Sequence, residues 1–486
     1  MRRWIIVTEC YGGILGRAVE LVNSVMTEYI CYPPAVFTAY DFDIGMLKEY
    51  SAVFIGTVEN NSIIASLVKE GRLSMPENKE GAYSLAVLGE NEERGAVIAV
   101  CANEAIGCLY GCADLCNFYL GSTVFFGHGY NRNNKAVARI PFNEPMPEYR
   151  RIGCPKIKRR AAWTWGHCIY DYRSFFRNMS ILKLNEIVIW CDHPPINGVA
   201  VVECAHSYGI KVIFGFSWGW DTNSVTDMKM TDREAWVKKA EKIIEKYEKD
   251  YLPLGADGIY FQSFTETSER EREGVIIAEA VTAWVNLAAA MMLERYPSLK
   301  LQFGLHATSV SADVEYLSKT DPRIEIIWED CGAFPYSYYP EDVKDFESTL
   351  LFSERIAVLR GQTDKFGAVL KGMTTLDWNN FTHHDGPFVL GEASSLTLEE
   401  KTRQRVWLWR LIDPWWVKNI DLLTETVERL ACLKGGELSL QLLCEDGLVE
   451  RRIPLSLSLA AESMWKRDDN AIDLLTEVSL GKYVKQ

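Results

Sequence analysis

One short stretch of this sequence places a carboxylate where catalysis could use it. Residues 258–264 have the pattern of an aromatic-rich strand, and Glu266 follows ahead of a long helical run at 273–295. If that strand belongs to a barrel of parallel strands, its C-terminal end opens onto the face that carries the chemistry. Partial burial beside aromatic rings would favour the protonated form of Glu266, which makes it a candidate general acid. Alternatively, its charge only stabilises the N-terminus of the following helix.

A second carboxylate has three candidates later in the chain. Glu329 and Asp330 follow the apolar run 326–328, where a buried charge is costly unless it has a partner or a use. Asp377 lies in a polar segment beyond the next predicted strand. Each of the three could instead bind a substrate hydroxyl or serve as a structural hydrogen-bond acceptor, so the sequence leaves the choice open.

Aromatic and polar side chains are concentrated at the ends of the predicted strands. Flat ring faces pack on the apolar face of a sugar, while carboxylates, His and Trp N–H groups hydrogen-bond its hydroxyls. Any single ring could equally fill the core, but their joint placement favours a sugar pocket. The candidate substrate-binding residues are Trp163, Trp165, His167, Trp190, Asp192, His193, Trp218, Trp220, Gln262, His306, Trp328 and Trp378.

This set of groups suits the hydrolysis of a glycosidic bond. That reaction needs a proton donor at the leaving oxygen and a second carboxylate that acts as nucleophile or as base for water. The sequence therefore predicts catalysis by Glu266 together with Glu329, Asp330 or Asp377. The distance between the two carboxyl groups would distinguish retention from inversion of the anomeric centre.

The elements that must position these residues alternate between strands and helices after residue 155. This alternation predicts a parallel sheet, and the number of units favours a (β/α)8 TIM barrel over an open doubly wound sheet. No GxGxxG or Walker sequence is present, which weighs against nucleotide binding. An eighth strand is placed within 387–390. The seven clearer predicted strands are 160–165, 186–190, 211–216, 258–264, 300–305, 323–328 and 367–373.

Three regions are expected along the chain. Residues 1–150 alternate short strands and helices, which predicts a small α/β domain with a linker near 141–155. Residues 151–415 form the predicted catalytic barrel, and 416–486 a short C-terminal extension of mixed structure. Within this extension, strands are predicted at 437–443 and 452–459, and a helix is predicted at 470–475.

Composition narrows the class of protein. The formal net charge is -14, and binding to phosphates requires clustered Lys and Arg, so a nucleic acid or an anionic membrane is a poor partner. No signal sequence or membrane span is predicted, and the 13 cysteines include no CxxC pair, which fits reduced thiols in the cytoplasm. Without HxH or HExxH patterns, no metal or other cofactor is expected. The sequence leaves open whether the protein forms homo-oligomers.

Several stretches resemble a known group of carbohydrate-active enzymes. PENKEGAY at 76–83, AVIA at 96–99 and IGCLYG at 106–111 look like the α/β domain that precedes the barrel in family 20 β-N-acetylhexosaminidases and family 67 α-glucuronidases. KLNEIVIW at 183–190 and ECAHSYGIKVI at 203–213 are similar to the second and third strand regions of those barrels. The resemblance implies a glycosidase whose acid follows the fourth strand, which is where Glu266 stands.

One departure from that group affects the expected mechanism. Family 20 enzymes carry Asp-Glu at this point, and the Asp positions the substrate's acetamido group as an internal nucleophile, whereas here Thr265 precedes Glu266. The change favours a mechanism in which both carboxylates come from the protein, as family 67 implies. We therefore expect a cytoplasmic, exo-acting glycoside hydrolase for short oligosaccharides. The alternatives are a substrate-assisted hexosaminidase-like enzyme, a carbohydrate-binding barrel without catalysis, and an unrelated barrel enzyme with Lys371 as a Schiff-base lysine.

Overall fold

A closed parallel barrel preceded by a mixed α/β sheet makes up the molecule, as the sequence predicts. The computed structural model describes residues 2–30, 32–120, 146, 148–219, 229–264, 269–306, 313–331, 346–361, 363–374, 386–467 and 469–484.

The N-terminal domain is a six-stranded sheet with helices on both faces. Its elements are β1 (Arg3–Thr8), α1 (Gly13–Tyr29), β2 (Ala35–Thr38), β3 (Tyr50–Thr57), α2 (Ser62–Lys69), β4 (Tyr83–Leu88), β5 (Val97–Ala102), α3 (Ala105–Asp114) and β6 (Tyr149–Gly153). The strand order is β2-β1-β3-β5-β4-β6, and β4 runs antiparallel to both of its neighbours. Because helices cover both faces, β4 and β5 are buried along their whole length and consist of nearly continuous apolar runs. β6 lies inside the predicted linker, so the sheet extends further along the chain than expected.

The barrel contains eight parallel strands. The strands after residue 155 are β7 (Arg159–Trp165), β8 (Glu186–Trp190), β9 (Lys211–Ser217), β10 (Gly258–Gln262), β11 (Glu271–Arg272), β12 (Val275–Ile276), β13 (Lys300–Leu305), β14 (Glu325–Cys331), β15 (Phe366–Leu370) and β16 (Ser439–Leu443). β11 and β12 form a short antiparallel hairpin, and the other strands close in chain order, with β16 pairing back onto β7. All carboxyl ends of the barrel strands therefore lie at one mouth.

Helices surround the barrel and continue into the C-terminal region. They are α4 (Tyr172–Ile181), α5 (Gly198–Ser207), α6 (Arg233–Lys246), α7 (Ile277–Arg295), α8 (Phe346–Leu359), α9 (Ser395–Lys418), α10 (Ile420–Cys432), α11 (Leu455–Ser463) and α12 (Ala471–Ser479). Within the described part of the chain, α7 is long and apolar enough to cross a membrane by length and composition alone. Half of that apolar window is buried in the structure, as expected for a barrel helix.

The predicted position of the eighth strand is wrong. β16 closes the barrel, whereas residues 387–390 form no barrel strand, and Phe388 makes an isolated bridge with Pro195 beside the mouth. The physical reason is that two consecutive helices, α9 and α10, separate β15 from β16, so the regular strand-to-helix spacing fails at the last step. The barrel therefore continues beyond residue 415.

A second difference concerns the predicted strand at 452–459. The alternation Leu-Ser-Leu-Ser-Leu suggests a half-buried strand, but α11 occupies this region and all nine of its residues are buried. Pro454 is the N-cap residue of this helix and has an extended backbone conformation. Burial on every side outweighs the local propensity here, because a fully enclosed helix needs no polar face.

A buried ionic cluster connects the N-terminal domain, the barrel and the C-terminal helices. Lys183, just before β8, places its Nζ 2.6 Å from Oδ1 of Asp114 in α3, and it also pairs with Glu462 in α11. Arg151 in β6 contributes an Nε 2.7 Å from the other oxygen of Asp114. Since Lys183 and Asp114 are almost completely buried, these charges depend on one another, and the three regions pack as one body.

Candidate active site

Glu329 lies inside the barrel at the mouth and is surrounded by hydrogen-bond donors. Its Oε1 accepts hydrogen bonds from the Tyr260 hydroxyl and from Gln262 Nε2, the latter at 2.6 Å. Its Oε2 lies 2.7 Å from Nε2 of His306. The residue is only 6% exposed. The barrel mouth therefore contains a buried carboxylate whose geometry is fixed by β10 and β13.

Two strand glycines make room for this arrangement. A Cβ atom on Gly304 in β13 would collide with the Tyr260 hydroxyl and with the Glu329 carboxylate. A Cβ atom on Gly215 in β9 would lie 2.9 Å from the Trp190 ring and 3.3 Å from the Tyr260 ring. A glycine inside a strand often marks such a close approach. The side chains on the inner face of the barrel thus depend on these two positions.

An aromatic wall extends from the barrel interior to the mouth. The Trp163 and Tyr260 ring centroids are 5.6 Å apart and nearly perpendicular, and Trp163 and Trp165 are related in the same way at 4.7 Å. Trp190 lies 6.1 Å from Tyr260. Trp163 is buried, whereas Trp165 and Trp190 are partly exposed and present ring surface to the mouth.

A pocket of about 250 Å³, including open solvent, lies at the ends of β7 and β8. Its wall contains five of the predicted substrate-binding residues together with Phe388 from the segment after β15. The Trp190 indole N–H donates a 3.1 Å hydrogen bond to Asp192, which orients that carboxylate. The pocket residues predicted from sequence are Trp165, His167, Trp190, Asp192 and His193.

The fold of this chain is similar to those of solved glycoside hydrolases. A mutant Streptomyces plicatus β-hexosaminidase in complex with its product N-acetylglucosamine matches with a TM-score of 0.51 and 9% identity, over 99% of this chain and 90% of that one. An exo β-N-acetylglucosaminidase of family 20 from Vibrio harveyi matches with a TM-score of 0.48 and 12% identity, over 99% and 73% of the two chains. A family 115 4-O-methyl-α-glucuronidase with specificity for decorated arabinogalactans matches with a TM-score of 0.49 and 12% identity over 96% of this chain, which spans 57% of that protein's length.

The sequence itself is far from characterised relatives. No protein-family model matches it, and no curated protein is significantly similar to it. At 9% identity, the likeness to the hexosaminidase shows a shared fold and does not transfer an activity. The function must therefore be inferred from the side chains at the barrel mouth.

Two predicted substrate-binding rings lie away from the mouth. Trp218 is fully buried and stacks on Phe261 with ring centroids 3.7 Å apart. Trp328 is 1% exposed and packs against Phe352 of α8 at 4.9 Å. Side chains alternate along a strand, so Trp328 must point outward when its neighbour Glu329 points inward. Both rings fill the layer between barrel and helices, a placement that argues against contact with a substrate.

Several candidates fall outside the described residues. These are Glu266, Asp377, Trp220 and Trp378; Asp330 contributes its backbone to β14, but its side chain is not described. The described chain does reach Phe264, two residues before Glu266, and this residue has a left-handed φ of +58°. Such a conformation costs a bulky residue on the order of 1–2 kcal/mol and recurs at functional sites.

Glu445 is a mouth residue that sequence reasoning missed. It follows β16, is 6% exposed, and burial raises the pKa of its carboxyl to about 7, although the Lys371 ammonium acts in the opposite direction. It was missed because the eighth strand was predicted at 387–390, and a carboxylate becomes a candidate only when it follows a predicted strand. Lys371, at the end of β15, lies close enough to Glu445 to affect its charge.

The cysteines near the mouth are poor nucleophiles. Burial raises the pKa of both the Cys168 and the Cys191 thiols well above the usual value, which disfavours the reactive thiolate. Among the residues that the structure describes, no group of three His, Cys, Asp or Glu side chains is arranged to hold a metal ion. The chemistry available at the described mouth is therefore that of carboxyl groups, histidines and aromatic rings.

Proposed function

We propose that this protein is a glycoside hydrolase that removes sugar units from short oligosaccharides or glycosides. The observation that supports the proposal best is Glu329, a carboxylate held by Tyr260, Gln262 and His306 at the mouth of the barrel. A glycosidase needs a carboxylate beside the anomeric carbon, and these three contacts hold the Glu329 carboxylate in a fixed position. The aromatic pocket at the ends of β7 and β8 offers the flat surfaces on which a sugar ring packs.

In the proposed mechanism, the two carboxyl groups have different roles. Glu266, predicted to follow the fourth strand, donates a proton to the leaving oxygen of the glycosidic bond. Glu329 then supports the positive charge that develops at the anomeric carbon, either by attacking that carbon or by deprotonating the attacking water. His306 and Gln262 hold the Glu329 carboxylate in place throughout.

The pocket supports an exo-acting mode on small substrates. Two partly exposed Trp rings and Phe388 line it at the ends of β7 and β8, which suits one sugar ring packed flat against an aromatic surface. Asp192, oriented by the Trp190 indole, is well placed to accept hydrogen bonds from sugar hydroxyls. We infer that a terminal sugar enters this pocket with its ring against Trp165 or Trp190.

Turnover of aryl glycosides tests the proposal. The panel includes β-N-acetylglucosaminide, β-glucoside, β-galactoside and α-glucuronide, each with a good and a poor leaving group, and it compares the parent with Glu266→Gln and Glu329→Gln. Loss of the acid should affect poor leaving groups most, whereas loss of Glu329 should affect both equally. Glu271→Gln, at an exposed carboxylate on the hairpin, is the matched control and should keep full activity.

Other results would separate the alternatives. Sugar binding without turnover of any substrate would favour a carbohydrate-binding barrel. Turnover restricted to N-acetylhexosaminides, with little effect of Glu329→Gln, would favour substrate assistance. Turnover that is insensitive to both carboxylate substitutions would refute the proposed mechanism.

A further inference from the structure

The pocket at the ends of β7 and β8 contains a carboxylate that lacks a counter-charge. Asp192 is partly buried there, and its Oδ2 accepts the 3.1 Å hydrogen bond from the Trp190 indole N–H. Within the described part of the chain, no cationic side chain forms an ion pair with Asp192, and none of the eight described residues in the pocket wall is Lys or Arg. Its Oδ1 is therefore left for a group that enters the pocket.

A lysine near this pocket is engaged elsewhere. Lys246, the last residue of α6, donates from Nζ to the main-chain carbonyl of Asp192 at 3.0 Å, and it pairs with the Asp250 carboxylate at 3.3 Å. The same ammonium lies 5.5 Å from the centre of the Tyr251 ring. Asp250 thus balances the charge of Lys246, and the contact with Asp192 involves the backbone rather than the side chain.

Aromatic rings in the pocket wall add to its attraction for a cation. Trp165, Trp190 and Phe388 line the pocket and are all partly exposed. The face of an aromatic ring carries partial negative charge, so it attracts ammonium groups, and Trp attracts them most strongly. The charge of Asp192 also acts on its neighbour, because burial raises the pKa of the Cys191 thiol and the Asp192 carboxylate raises it further. Ring faces and carboxylate together make this pocket electronegative.

A bound ligand makes the missing counter-charge more costly. A sugar ring that packs on the Trp faces displaces water from Asp192, and a charge that loses water without gaining a partner is unfavourable. Sugar hydroxyls would replace part of the lost hydration by hydrogen bonds, but they carry no charge. An ammonium group supplies both the hydrogen bond and the positive charge, and such charge-assisted bonds are the stronger ones. The pocket therefore favours a cationic sugar over a neutral or an anionic one.

We propose that the pocket takes an amino sugar with a free, protonated amine, which forms an ion pair with Asp192. This inference rests on the proposed function, because it names the class of terminal sugar that the hydrolase would remove. N-acetylation would remove the positive charge from the nitrogen, and a uronic acid would bring a second carboxylate next to Asp192. The formal net charge of -14 also favours the approach of a cationic substrate.

Isothermal titration calorimetry of the full chain tests the site without requiring turnover. The ligands are D-glucosamine, D-glucose and N-acetyl-D-glucosamine, which differ at one position of the same ring. Glucosamine should bind about tenfold more tightly than the other two, because it alone carries a charge that pairs with Asp192. Added NaCl should weaken the binding of glucosamine and leave that of glucose unchanged, since salt screens an ion pair. Equal affinities for the three sugars, or no binding of glucosamine, would overturn the proposal.

Asp192→Asn identifies the group responsible. The amide keeps the size of the carboxylate and can still accept the Trp190 N–H bond, so the variant should fold like the parent. Its affinity for glucosamine should fall about tenfold, to that of glucose, while its affinity for glucose stays the same. Asp421→Asn, at an exposed position of α10, is the matched control and should bind all three sugars like the parent. A preference for glucosamine that persists in Asp192→Asn would show that another group binds the amine and would refute the assignment.

Turnover separates this inference from the proposed function. The aryl β-glycosides of glucosamine, glucose and N-acetylglucosamine are compared, and the glycoside with the free amine should have the highest kcat/KM. Turnover of aryl glycosides without any preference for a free amine in binding would leave a glycoside hydrolase whose pocket is not an ammonium site. Preferential binding of glucosamine without turnover of any glycoside would instead support the ammonium site and argue against hydrolysis.

Discussion

The two ends of the barrel both bury carboxylates, but they neutralise them differently. At the closed end, Glu325 is completely buried with an oxygen 2.8 Å from Arg159 and another 3.4 Å from Lys300. At the mouth, Glu329 contacts a phenol, an amide and an imidazole. The floor therefore balances charge with charge, while the contacts described at the mouth are those of a hydroxyl, an amide and an imidazole with the Glu329 carboxylate.

This difference indicates what each end is for. Burial by itself would lower the pKa of Lys300, but the charges of Glu325 and Glu186 outweigh it and leave that pKa above the usual value, so the lysine stays cationic. The opposite charges of this cluster balance one another, so it offers little to bind a ligand. The Glu329 carboxylate instead lies at the open end of the barrel, where, under the proposed function, the developing positive centre of a substrate can reach it. Barrel proteins generally concentrate stability at the floor and chemistry at the mouth.

The largest effect is expected from a substitution at the barrel mouth. Glu329→Gln removes the charge and keeps the shape, so kcat/KM for the best aryl glycoside should fall by about 1000-fold or more. The melting temperature should change little, because Gln has the size of Glu and its amide oxygen can still accept hydrogen bonds from Tyr260 and Gln262. Steady-state kinetics and thermal unfolding of the same sample measure both quantities. A large loss of stability with retained kcat/KM would show that Glu329 has a structural role, like that of Glu325 at the floor.

The reverse result is expected at the floor. Glu325→Gln leaves Arg159 and Lys300 short of one counter-charge in a buried site, which should lower the free energy of unfolding by about 3 kcal/mol. Urea denaturation at neutral pH measures this change. The folded fraction should keep the kcat/KM of the parent, and a drop in activity without a change in stability would contradict the division between the two ends.

A third kind of buried carboxyl near the mouth responds to pH. Burial raises the pKa of Glu450 to about 7, although backbone N–H groups of Tyr170 and Asp171 act against the shift. The fold thus favours the neutral form, and the contribution is fully present below about pH 4.5 and is lost as the pH rises through 7. Glu450→Gln should therefore be stabilising at pH 8 by up to about 3 kcal/mol and near neutral at pH 4.5.

Unfolding free energies of parent and Glu450→Gln across this pH range provide the measurement. The exposed Glu271→Gln variant should give a constant difference and serves as the control. A constant difference for Glu450→Gln as well would mean that this carboxyl is charged in the folded protein.

The smallest expected effect compares two glutamines in equivalent roles. Gln262 donates to Glu329 at the mouth, and Gln302 donates to Glu186 at 2.9 Å and to Glu325 at 3.0 Å on the floor. Gln262→Leu should lower kcat about tenfold with little loss of stability, since the carboxylate becomes less well positioned. Gln302→Leu should cost about 2 kcal/mol in stability and leave kcat unchanged. Equal effects of both substitutions on kcat would contradict the division between a catalytic mouth and a structural floor.

Much of the fold was predictable because its signals are local. Seven of the eight barrel strands match runs of buried apolar residues bounded by helices, and each such run is visible within about ten residues. Part of the site was predictable for the same reason: Glu329 comes directly after the apolar run 326–328 in β14, and Gln262 ends the aromatic strand β10. Strand alternation alone could also have assigned Trp328 to the outer face once Glu329 was assigned to the inner one.

Other features had only faint signals in the sequence. Gly215 and Gly304 interrupt strands, and an isolated strand glycine suggests that another group approaches closely, but it does not say which group. In the sequence, Tyr260 is only one of several aromatic residues of β10. Its contact with Glu329 joins residues 69 positions apart, and no local pattern encodes that pairing.

The order of amino acids is enough to predict the alternating strands and helices, the α/β domain that precedes them, and the carboxylate near the end of β14. The closure of the barrel by β16, the position of Glu445 at the mouth and the groups that contact Glu329 became known from the folded molecule. Periodicity records which face of an element is buried, whereas barrel closure and hydrogen-bond partners depend on contacts between distant segments. Those contacts exist only when all eight strands are in register.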